Sequence, residues 1–423
     1  MKQLLILGSS FASGEIIENA RRRGWHTIVT DNLSPDVSHA KLLSDSYWMI
    51  STADTELLEQ KCREEGIDAI FAGVSEFNLD RVHSLCRKLN LPCYIEDETW
   101  ALSRNKRLFK KRCLEKGVPV VQEYPVPDDE DSWNCITYPV VVKPVDGAAN
   151  AGLSICDNRQ ELEEGLKKAK EYNSGGEEVI IEEYIRGDEM WNYYFFAEGT
   201  PRYVYSGRVF RQPGYPTYLY SFGTNIVDGI EGYLDQIDPA YIELLRDTGC
   251  KDGIAWVQTI RDEGGHYFAL EMAHRMSADA CGRLAEKCLG FNTVDWILDT
   301  ALGVRHTREM LPAQFAPPYS GAVGVYYLFA DHQGKIMRLS GLDKLNPELF
   351  LVETMRKTGQ EVAQYSLIVK IAYYVRRAGE ICSVLEYINR TVEVVDEHGK
   401  DLAVRFTDYE TVRKTHEGLL IRE

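Results

Sequence analysis

The sequence predicts a fold that combines an α/β part with an α+β part, and three observations support this class. Strand and helix patterns alternate over residues 1–100, which is typical of a parallel βαβ sheet. From residue 138 onward, short apolar runs joined by glycine-rich turns indicate antiparallel hairpins. The length of 423 residues exceeds what one hydrophobic core usually supports, so we expect roughly two to four domains.

The composition excludes several classes of partner. The 48 Lys and Arg against 65 Asp and Glu give a net charge of −17, which argues against nucleic acid and anionic membranes. A few placed basic side chains can still form a local anion site. The ten scattered cysteines include no C-x-x-C pair, so zinc-finger or thioredoxin-like chemistry is not expected. Unpaired cysteines, no signal-peptide pattern and no apolar run near ~18 residues predict a cytoplasmic protein.

The first hundred residues carry four predicted strands with helices between them, at 4–7, 26–30, 69–72 and 93–95. Ligands of such sheets bind at the carboxyl ends of the strands. Asp31 ends the second strand, where a dinucleotide site has its ribose-binding acid. The first loop, however, reads G-x-x-x-x-x-G instead of G-x-G-x-x-G, which disfavours a dinucleotide site. Glu76 follows the third strand and is either a solvated loop acid or a substrate contact.

A basic helix and a loop of small residues follow. Residues 100–117 have helical apolar spacing, and Lys106 lies among other basic residues that the pattern alone does not distinguish from it. Three valines at 140–142 predict a short buried strand, which Lys143 closes. The backbone N–H groups of the loop 146–152, together with Lys143, suit a polyphosphate. An ordinary hairpin beside a surface lysine is the alternative.

Acidic residues directly follow the next buried strand. Residues 179–181 predict this strand, which runs into Glu182 and Glu183. Backbone that leaves a strand can hydrogen-bond an adenine edge, and Glu189, two residues after Gly187, can bind ribose hydroxyls. The alternative is a strand that simply ends at the surface.

Two arginines and a polar hairpin complete the candidate site. Arg208 and Arg211 precede a loop rich in Tyr, Pro and Gly at 213–222, which we expect to lie over a site. A Gly-Gly turn further on predicts a hairpin that places Gln258 beside Glu271. Two oxygen-donor side chains on adjacent strands suit a hard cation such as Mg²⁺. A polar pair on an exposed face is the alternative.

The chain changes character near residue 305. Strand patterns recur at 320–330, 335–342 and 391–395, and a helix is predicted at 381–389. We find no charged motif there that requires chemistry.

In this order, the elements resemble the ATP-grasp superfamily, in particular its carboxylate–amine ligase-like members, which include amino-acid ligases and the carbamoyl-phosphate synthetase-like branch. The resemblance spans residues 1 to about 300. It rests on Asn105-Lys106, Lys143-Pro144-x-Asp146, Glu182-Glu183-Tyr184-Ile185, Gly187-x-Glu189, Gln258 and Glu271-x-x-x-Arg275. It implies an ATP-grasp fold with a Rossmann-like pre-ATP-grasp domain at 1–100, an ATP-grasp domain at 101–304 with a mobile lid subdomain at about 118–183, and an α+β domain at 305–423.

The resemblance also implies the cofactors and the site residues. The cofactors would be ATP and Mg²⁺, with Mn²⁺ as a substitute. Nucleotide contacts would come from Lys106, Lys143, Asp146, Gly147, Gly152, Glu182, Glu183, Tyr184, Ile185 and Glu189. Of these, the two lysines would hold phosphates, Glu182 the adenine amino group, and Glu189 the ribose. Gln258 and Glu271 would hold the metal ion, and Lys143 and Arg275 would be catalytic. Substrate contacts would come from Glu76, Arg208, Arg211 and Arg275.

The reaction that the resemblance implies is ATP-dependent ligation. A small-molecule carboxylate becomes an acyl phosphate, an amine attacks it, and ADP and phosphate leave. Two departures from the family pattern are Gln258, where a carboxylate is usual, and Ala273, where an asparagine is usual. A nucleotide-binding sensor or assembly protein without turnover is therefore the alternative, and a dinucleotide-dependent oxidoreductase is a third hypothesis. The composition permits a homodimer.

Overall fold

A computed structural model describes residues 1–420 apart from 11, 146–151, 173–177, 217–218, 227–229, 278–280 and 314–320. The helices among these described residues are α1 (Ser13–Arg22), α2 (His39–Leu43), α3 (Thr55–Glu65), α4 (Glu76–Leu89), α5 (Asp97–Arg104), α6 (Lys106–Lys116), α7 (Glu130–Asn134), α8 (Arg159–Glu171), α9 (Ile230–Gln236), α10 (Asp238–Asp247), α11 (Gly282–Leu289), α12 (Thr293–Ala301), α13 (Ile381–Thr391) and α14 (Tyr409–Leu420). None of them is long and apolar enough to cross a membrane.

The strands in the same part of the chain are β1 (Gln3–Leu7), β2 (His26–Thr30), β3 (Ser46–Trp48), β4 (Ala69–Ala72), β5 (Glu123–Tyr124), β6 (Val140–Pro144), β7 (Ser154–Cys156), β8 (Val179–Glu183), β9 (Gly187–Ala197), β10 (Thr200–Phe210), β11 (Phe222–Ile226), β12 (Gly253–Asp262), β13 (Tyr267–Ala273), β14 (Ala322–Phe329), β15 (Gly334–Lys335), β16 (Arg338–Ser340), β17 (Phe350–Thr354), β18 (Glu361–Val362), β19 (Leu367–Val375) and β20 (Glu393–Val395).

The N-terminal strands form a parallel sheet in the order β3-β2-β1-β4. The predicted strands 4–7, 26–30 and 69–72 are confirmed, but the predicted strand 93–95 is wrong. Tyr94 is buried because its side chain packs in the core and its hydroxyl donates to the Ala72 carbonyl over 3.1 Å. The Tyr94 carbonyl is 2.8 Å from His274 Nε2 instead of lying in a strand ladder. This segment is therefore buried by side-chain packing and hydrogen bonding, without being part of a sheet. Its apolar sequence pattern is the same in both cases, so the pattern alone could not exclude a strand.

The predicted helix at 100–117 is two helices, α5 and α6, that meet at Asn105. Asn105 is extended (φ −127°, ψ 101°), and its side-chain oxygen accepts a hydrogen bond of 2.9 Å from the Leu108 N–H. Asparagine favours this capping role because it satisfies an N–H that has no partner in the first helical turn. Lys106 is thus the first residue of α6, and side chains on a helix tilt toward its N-terminus.

A small antiparallel sheet follows, with the order β5-β8-β6-β7. The predicted strands at 140–142 and 179–181 are confirmed as parts of β6 and β8, which are neighbours in this sheet. Helix α8 packs against β6 and β7 and covers one face. We refer to this four-stranded unit as the small sheet.

The largest element is an antiparallel sheet of eight strands in the order β13-β12-β9-β10-β11-β14-β19-β17, which we call the large sheet. Its strands come from both sides of residue 305, so the domain boundary proposed there remains a prediction. The predicted continuous strand 335–342 is wrong, because the chain divides it into β15 and β16, which pair with β18 and β20 respectively. Helix 381–389 is confirmed within α13.

Candidate active site

A carboxylate with almost no solvent exposure lies between two lysines in the small sheet. Glu182 on β8 is 3% exposed, and its Oε2 is 2.6 Å from Lys143 Nζ on β6. Its Oε1 is 2.5 Å from Lys110 Nζ on α6. We call these three residues the Glu182 cluster. They place two positive charges around one buried acid.

The charges in the Glu182 cluster stabilise one another. Burial acts to raise the pKa of Glu182, but the charges of Lys143 and Lys110 outweigh burial and lower that pKa. Burial likewise acts to lower the pKa of Lys143, but the charge of Glu182 outweighs it and raises that pKa. Glu182 and Lys143 are therefore both charged at neutral pH.

Lys110 is a site residue that the sequence prediction missed. It lies one helical turn after Lys106 on α6, so the two lysines share a face of the helix. The spacing was a usable signal. It was hidden because Lys106 and Lys110 stand in a run of basic residues that also includes exposed members such as Lys111.

Acid titration tests the Glu182 cluster. The folded-state pKa of Glu182 lies below its ordinary value of 4.5, so its stabilisation is present above that pH and is lost as the pH falls below it. We expect Glu182→Gln to lower the free energy of unfolding by about 3–5 kcal/mol at pH 7, because the buried Lys110 and the largely covered Lys143 lose their counter-charge. The difference in the free energy of unfolding between wild type and variant should become smaller below pH 4.5.

Denaturant unfolding at several pH values between about 7 and about 3.5 measures this difference in the free energy of unfolding. The range extends to both sides of the ordinary glutamate pKa of 4.5. Glu130→Gln is the matched control, because Glu130 forms an ion pair with Arg159 but is 72% exposed. A difference for Glu182→Gln that stays constant through this pH range would contradict the ion-pair account.

A second cluster lies at the edge of the large sheet. Gln258 and Glu271 are paired in register, as predicted, although the hairpin is not regular: its register shifts by one residue between Gln258 and Thr259. Lys106 Nζ is 3.3 Å from Glu271 Oε2. The Gln258 amide donates a hydrogen bond to one carboxylate oxygen of Glu189, and Arg211 pairs with the other. Residues paired in register share a face of the sheet, and we call this side of the large sheet the Gln258 face.

The two clusters are neighbours. The charge of Glu271 also contributes to raising the pKa of Lys143. Lys106 and Lys110, one turn apart on α6, contact Glu271 and Glu182 respectively. Lysines from a helix and from the small sheet thus converge beside the acidic edge of the large sheet, which makes a site for a polyanion accompanied by a cation.

The donor set fits one divalent cation. Among the described residues, no group of three or more His, Cys, Asp and Glu is placed to hold a metal ion. Mg²⁺ beside phosphates, however, usually takes one or two protein carboxylates, with the remaining oxygens from phosphate and water. The Glu271 carboxylate and the Gln258 amide oxygen meet this smaller requirement. Ala273 offers no side-chain donor for a second ion.

Changing Gln258 to glutamate tests the cation assignment. The Gln258→Glu variant would set a second carboxylate against Glu189 in place of an amide donor. We therefore expect a lower Tm in EDTA than wild type and a larger rise in Tm on adding Mg²⁺, because the ion would offset the new repulsion.

Thermal unfolding with EDTA and with Mg²⁺ gives the comparison. Gln60→Glu is the control, since the Gln60 amide donates to Glu64 over 2.7 Å at an exposed position on α3. If Mg²⁺ shifts both variants equally, the cation does not bind beside Gln258.

Two predicted substrate contacts from distant parts of the chain meet in an ion pair. Arg275 Nη2 donates to Glu76 Oε1 over 3.4 Å, although 199 residues separate them in sequence. Glu76 begins α4 at the carboxyl end of the parallel sheet. The Arg275 guanidinium lies 5.1 Å from the ring centre of Trp256 on β12. The pair therefore bridges the parallel sheet and the Gln258 face.

The residues predicted to contact adenine, Glu183, Tyr184 and Ile185, connect the small and large sheets. The Glu183 N–H donates to the Gln122 carbonyl over 2.9 Å, and the Tyr184 N–H donates to the Pro139 carbonyl over 3.1 Å. Ile185 follows, and β9 begins at Gly187. A Cβ atom at Gly187 would lie 1.9 Å from the Arg261 carbonyl oxygen, so only glycine permits this close approach of β9 to β12. Adenine contacts at this segment remain a prediction.

The two arginines predicted to contact the substrate, Arg208 and Arg211, lie on opposite faces of the large sheet. Arg211 pairs with Glu189 at the Gln258 face. Arg208 is in register with the buried Met190, so its side chain leaves by the opposite face, where it pairs with Asp188. Of the predicted phosphate loop, Asp146 and Gly147 lie outside the described residues. Gly152 is buried, and a Cβ there would lie 2.9 Å from the Pro144 side chain.

The Asp31 carboxylate is already bonded to neighbouring side chains of the protein. It is 7% exposed, and one carboxylate oxygen is 2.8 Å from Lys41 Nζ. The other oxygen accepts a hydrogen bond of 2.6 Å from the Ser38 hydroxyl. The dinucleotide hypothesis required this carboxylate for a ribose, and internal partners already satisfy it. The structure thus disfavours that hypothesis.

Comparison with known proteins agrees with this geometry. Residues 136–283 match the family model of the ATP-grasp domain. The formate-dependent phosphoribosylglycinamide formyltransferase of Sulfurisphaera tokodaii is 24% identical over 192 residues, 44% of this chain and 48% of that protein. The chain thus spans about half the length of this curated relative. The present chain contains an ATP-grasp domain at residues 136–283, which confirms the resemblance seen in the sequence.

Solved structures match nearly the whole chain. The L-amino acid ligase from Bacillus licheniformis has a TM-score of 0.77 at 18% identity, covering 94% of this chain and 99% of that one. The biotin carboxylase domain dimer of Hydrogenobacter thermophilus 2-oxoglutarate carboxylase, solved with MgADP, ADP and bicarbonate, has a TM-score of 0.75 at 17% identity, covering 93% and 91%. The predicted ATP-grasp fold is confirmed.

Proposed function

We propose that the protein is an ATP-dependent ligase that joins a small-molecule carboxylate to an amine and releases ADP and phosphate. The observation that carries this proposal is that Lys106 of α6 pairs with Glu271, while Lys110, one helical turn further, pairs with the carboxylate of Glu182 that also holds Lys143. Arg275, four residues after Glu271, pairs with Glu76. The lysines suit the phosphates of ATP, and Glu271 suits a cation. Arg275 and Glu76 suit the polar groups of a second substrate.

Each side chain has a role in this proposal. Lys143 and Lys106 hold the phosphates and neutralise the charge that develops on them during transfer. Arg275 holds the carboxylate in line with the γ-phosphate. A carboxylate oxygen forms a bond to that phosphorus, and the bond to the ADP oxygen breaks. The amine then attacks the acyl carbon, loses a proton, and phosphate leaves.

The cofactor assignment rests on the same residues. ATP and Mg²⁺ are the proposed cofactors, with Glu271 and Gln258 as the ligands of the cation. A bound cation would supply further neutralisation of phosphate charge. The biotin carboxylase domain with the same fold was solved with MgADP, which supports this choice. Two of the similar proteins are named for a carboxylate, formate in one and an L-amino acid in the other, which supports that substrate class.

A hydroxylamine trap tests the proposal. Incubating the full chain with ATP, Mg²⁺, hydroxylamine and single carboxylic acids should release ADP and yield a hydroxamate with the true substrate, because hydroxylamine captures an acyl phosphate. The acids should cover amino acids, simple aliphatic acids and sugar acids.

The alternative, an ATP-binding sensor without turnover, is favoured by the amide at position 258, which donates to Glu189. ATP binding without acid-dependent ADP release from any of these classes would overturn the ligase proposal and favour the sensor. A hydroxamate formed with any acid would exclude the sensor.

A further inference from the structure

A cavity on the Gln258 face has no assigned role so far. Strands β9, β10, β11 and β14 form its floor, and α11 with the start of α12 forms its wall. The space open to the centre of a water molecule is about 80 Å³, several times what one water needs. The cavity is thus large enough for a substrate side chain.

The lining of the cavity is mostly apolar and aromatic, with Thr224, Asn225, Ser277 and Thr293 as its polar members. Trp191, Tyr193 and Tyr205 contribute rings, and Ala285 and Leu289 of α11 face them. None of the described residues that line it is charged. A phosphate, a carboxylate or an ammonium group would lose its hydration there without a counter-charge, whereas an aliphatic or aromatic group would be stabilised.

The ring of Trp191 lies close against the sheet. A Cβ atom at Gly223 on β11 would lie 3.0 Å from the Trp191 ring, and one at Gly207 on β10 would lie 3.6 Å from it. The absence of side chains at these two positions lets the indole lie against the backbone. The cavity therefore has a broad aromatic surface that suits a ring or a branched chain.

The cavity begins beside the proposed reaction centre. Met276, which lines it, directly follows Arg275, and Arg275 Nη1 donates to the Met276 carbonyl over 3.0 Å. Trp256, beneath the Arg275 guanidinium, is paired in register with Tyr193 of the cavity floor. A ligand held by Arg275 can thus extend directly into the cavity.

We infer that the carboxylate substrate is an α-amino acid with an apolar or aromatic side chain. This inference rests on the proposed ligase function and names the substrate of that same site. The Arg275–Glu76 pair presents one cation and one anion side by side. Arg275 binds the α-carboxylate, Glu76 binds the α-ammonium group, and the side chain fills the cavity. Because the described residues that line the cavity carry no charge, charged amino acids and phosphorylated sugars should bind much more weakly.

Calorimetric titration of the full chain, with ADP and Mg²⁺ present, tests this substrate class without requiring turnover. L-phenylalanine, L-leucine and L-methionine should bind, and L-aspartate and ribose 5-phosphate should not. 3-Phenylpropanoate lacks the ammonium group and should bind at least about 10-fold more weakly than L-phenylalanine. In Glu76→Gln the difference in affinity between L-phenylalanine and 3-phenylpropanoate should become smaller, because the partner of the ammonium group is lost.

Binding measurements on variants of the cavity wall form the second part of the experiment. Ala285→Phe fills the cavity and should weaken L-phenylalanine binding by about 10- to 100-fold. Leu289→Ala enlarges the cavity and should favour L-tryptophan over L-leucine. Ala101→Phe on α5 is the control, since Ala101 is exposed, and it should stay within about twofold of wild type. A Tm measurement establishes that each variant is folded, and Leu289→Ala still tests the cavity if Ala285→Phe does not fold.

Two results overturn the inference: binding of L-aspartate equal to that of L-phenylalanine, or unchanged L-phenylalanine binding in both cavity variants. Its failure is distinguishable from failure of the ligase function. If apolar amino acids bind but no acid releases ADP, the ligase function fails and the binding site stands. If only a charged or sugar acid releases ADP, the ligase function stands and the apolar-substrate inference fails.

Discussion

Replacing Lys143 by alanine is expected to weaken ATP binding by at least about 100-fold, because one charged hydrogen bond to phosphate is lost. The effect is enlarged by Glu182. Without Lys143, this buried carboxylate keeps only Lys110 as a partner, and its uncompensated charge repels the phosphates. Calorimetric titration of wild type and variant with ATP and with ADP measures the change.

A double variant separates the two contributions to this loss. Lys143→Ala with Glu182→Gln removes the repelling charge and should recover part of the affinity, although not the phosphate contact. Lys168→Ala is the matched control, since Lys168 lies on α8 beside the small sheet but bonds the Leu153 carbonyl at an exposed position. Unchanged nucleotide affinity in a folded Lys143→Ala protein would refute the phosphate role.

Replacing Arg275 by alanine is expected to lower kcat by about 100- to 1000-fold while leaving ATP affinity nearly unchanged. The guanidinium is held by Glu76 and lies over Trp256, so it is positioned before any ligand arrives. Its removal takes away the cation that aligns the carboxylate with the γ-phosphate. Steady-state ADP release with the carboxylate identified in the hydroxylamine trap measures this loss.

Arg275→Lys should fall between wild type and Arg275→Ala, because lysine keeps the charge but not the planar fork of donors. Arg246→Ala is the control, since Arg246 is half exposed on α10 and pairs only locally with Glu243. Normal carboxylate-dependent turnover in Arg275→Ala, with ADP still released, would remove Arg275 from the reaction centre.

The parts of the site that could be predicted from the sequence are those set by local pattern. The β6 valines place Lys143 at a strand end, and the Gly-Gly turn predicts the hairpin of β12 and β13. The register at that turn alone would set Gln258 opposite Leu270, and a one-residue shift between Gln258 and Thr259 brings Glu271 opposite Gln258 instead. The break at Asn105 was also readable, since asparagine is a preferred helix cap.

The parts that could not be predicted depend on long-range contacts. Arg208 and Arg211 are three residues apart, so strand alternation already predicts opposite faces for them, but only the register of β10 with β9 shows which of the two reaches the Gln258 face. Lys110 becomes a site residue because its side chain reaches Glu182 on β8, and its spacing from Lys106 does not by itself indicate that distant partner. The same holds for the cavity, whose walls come from strands and helices separated by more than a hundred residues.

The Glu182 cluster has a mechanical consequence for the small sheet. Lys110 belongs to α6, whose Phe109 and Cys113 lie in the same core as Tyr194 of the large sheet, whereas Lys143 belongs to the small sheet. Glu182 therefore joins the two bodies through buried ion pairs that are costly to break. We expect any rotation of one sheet against the other to have its axis at this point. The far side, at β7 and α8, would travel furthest, while Lys143 stays in place for phosphate throughout.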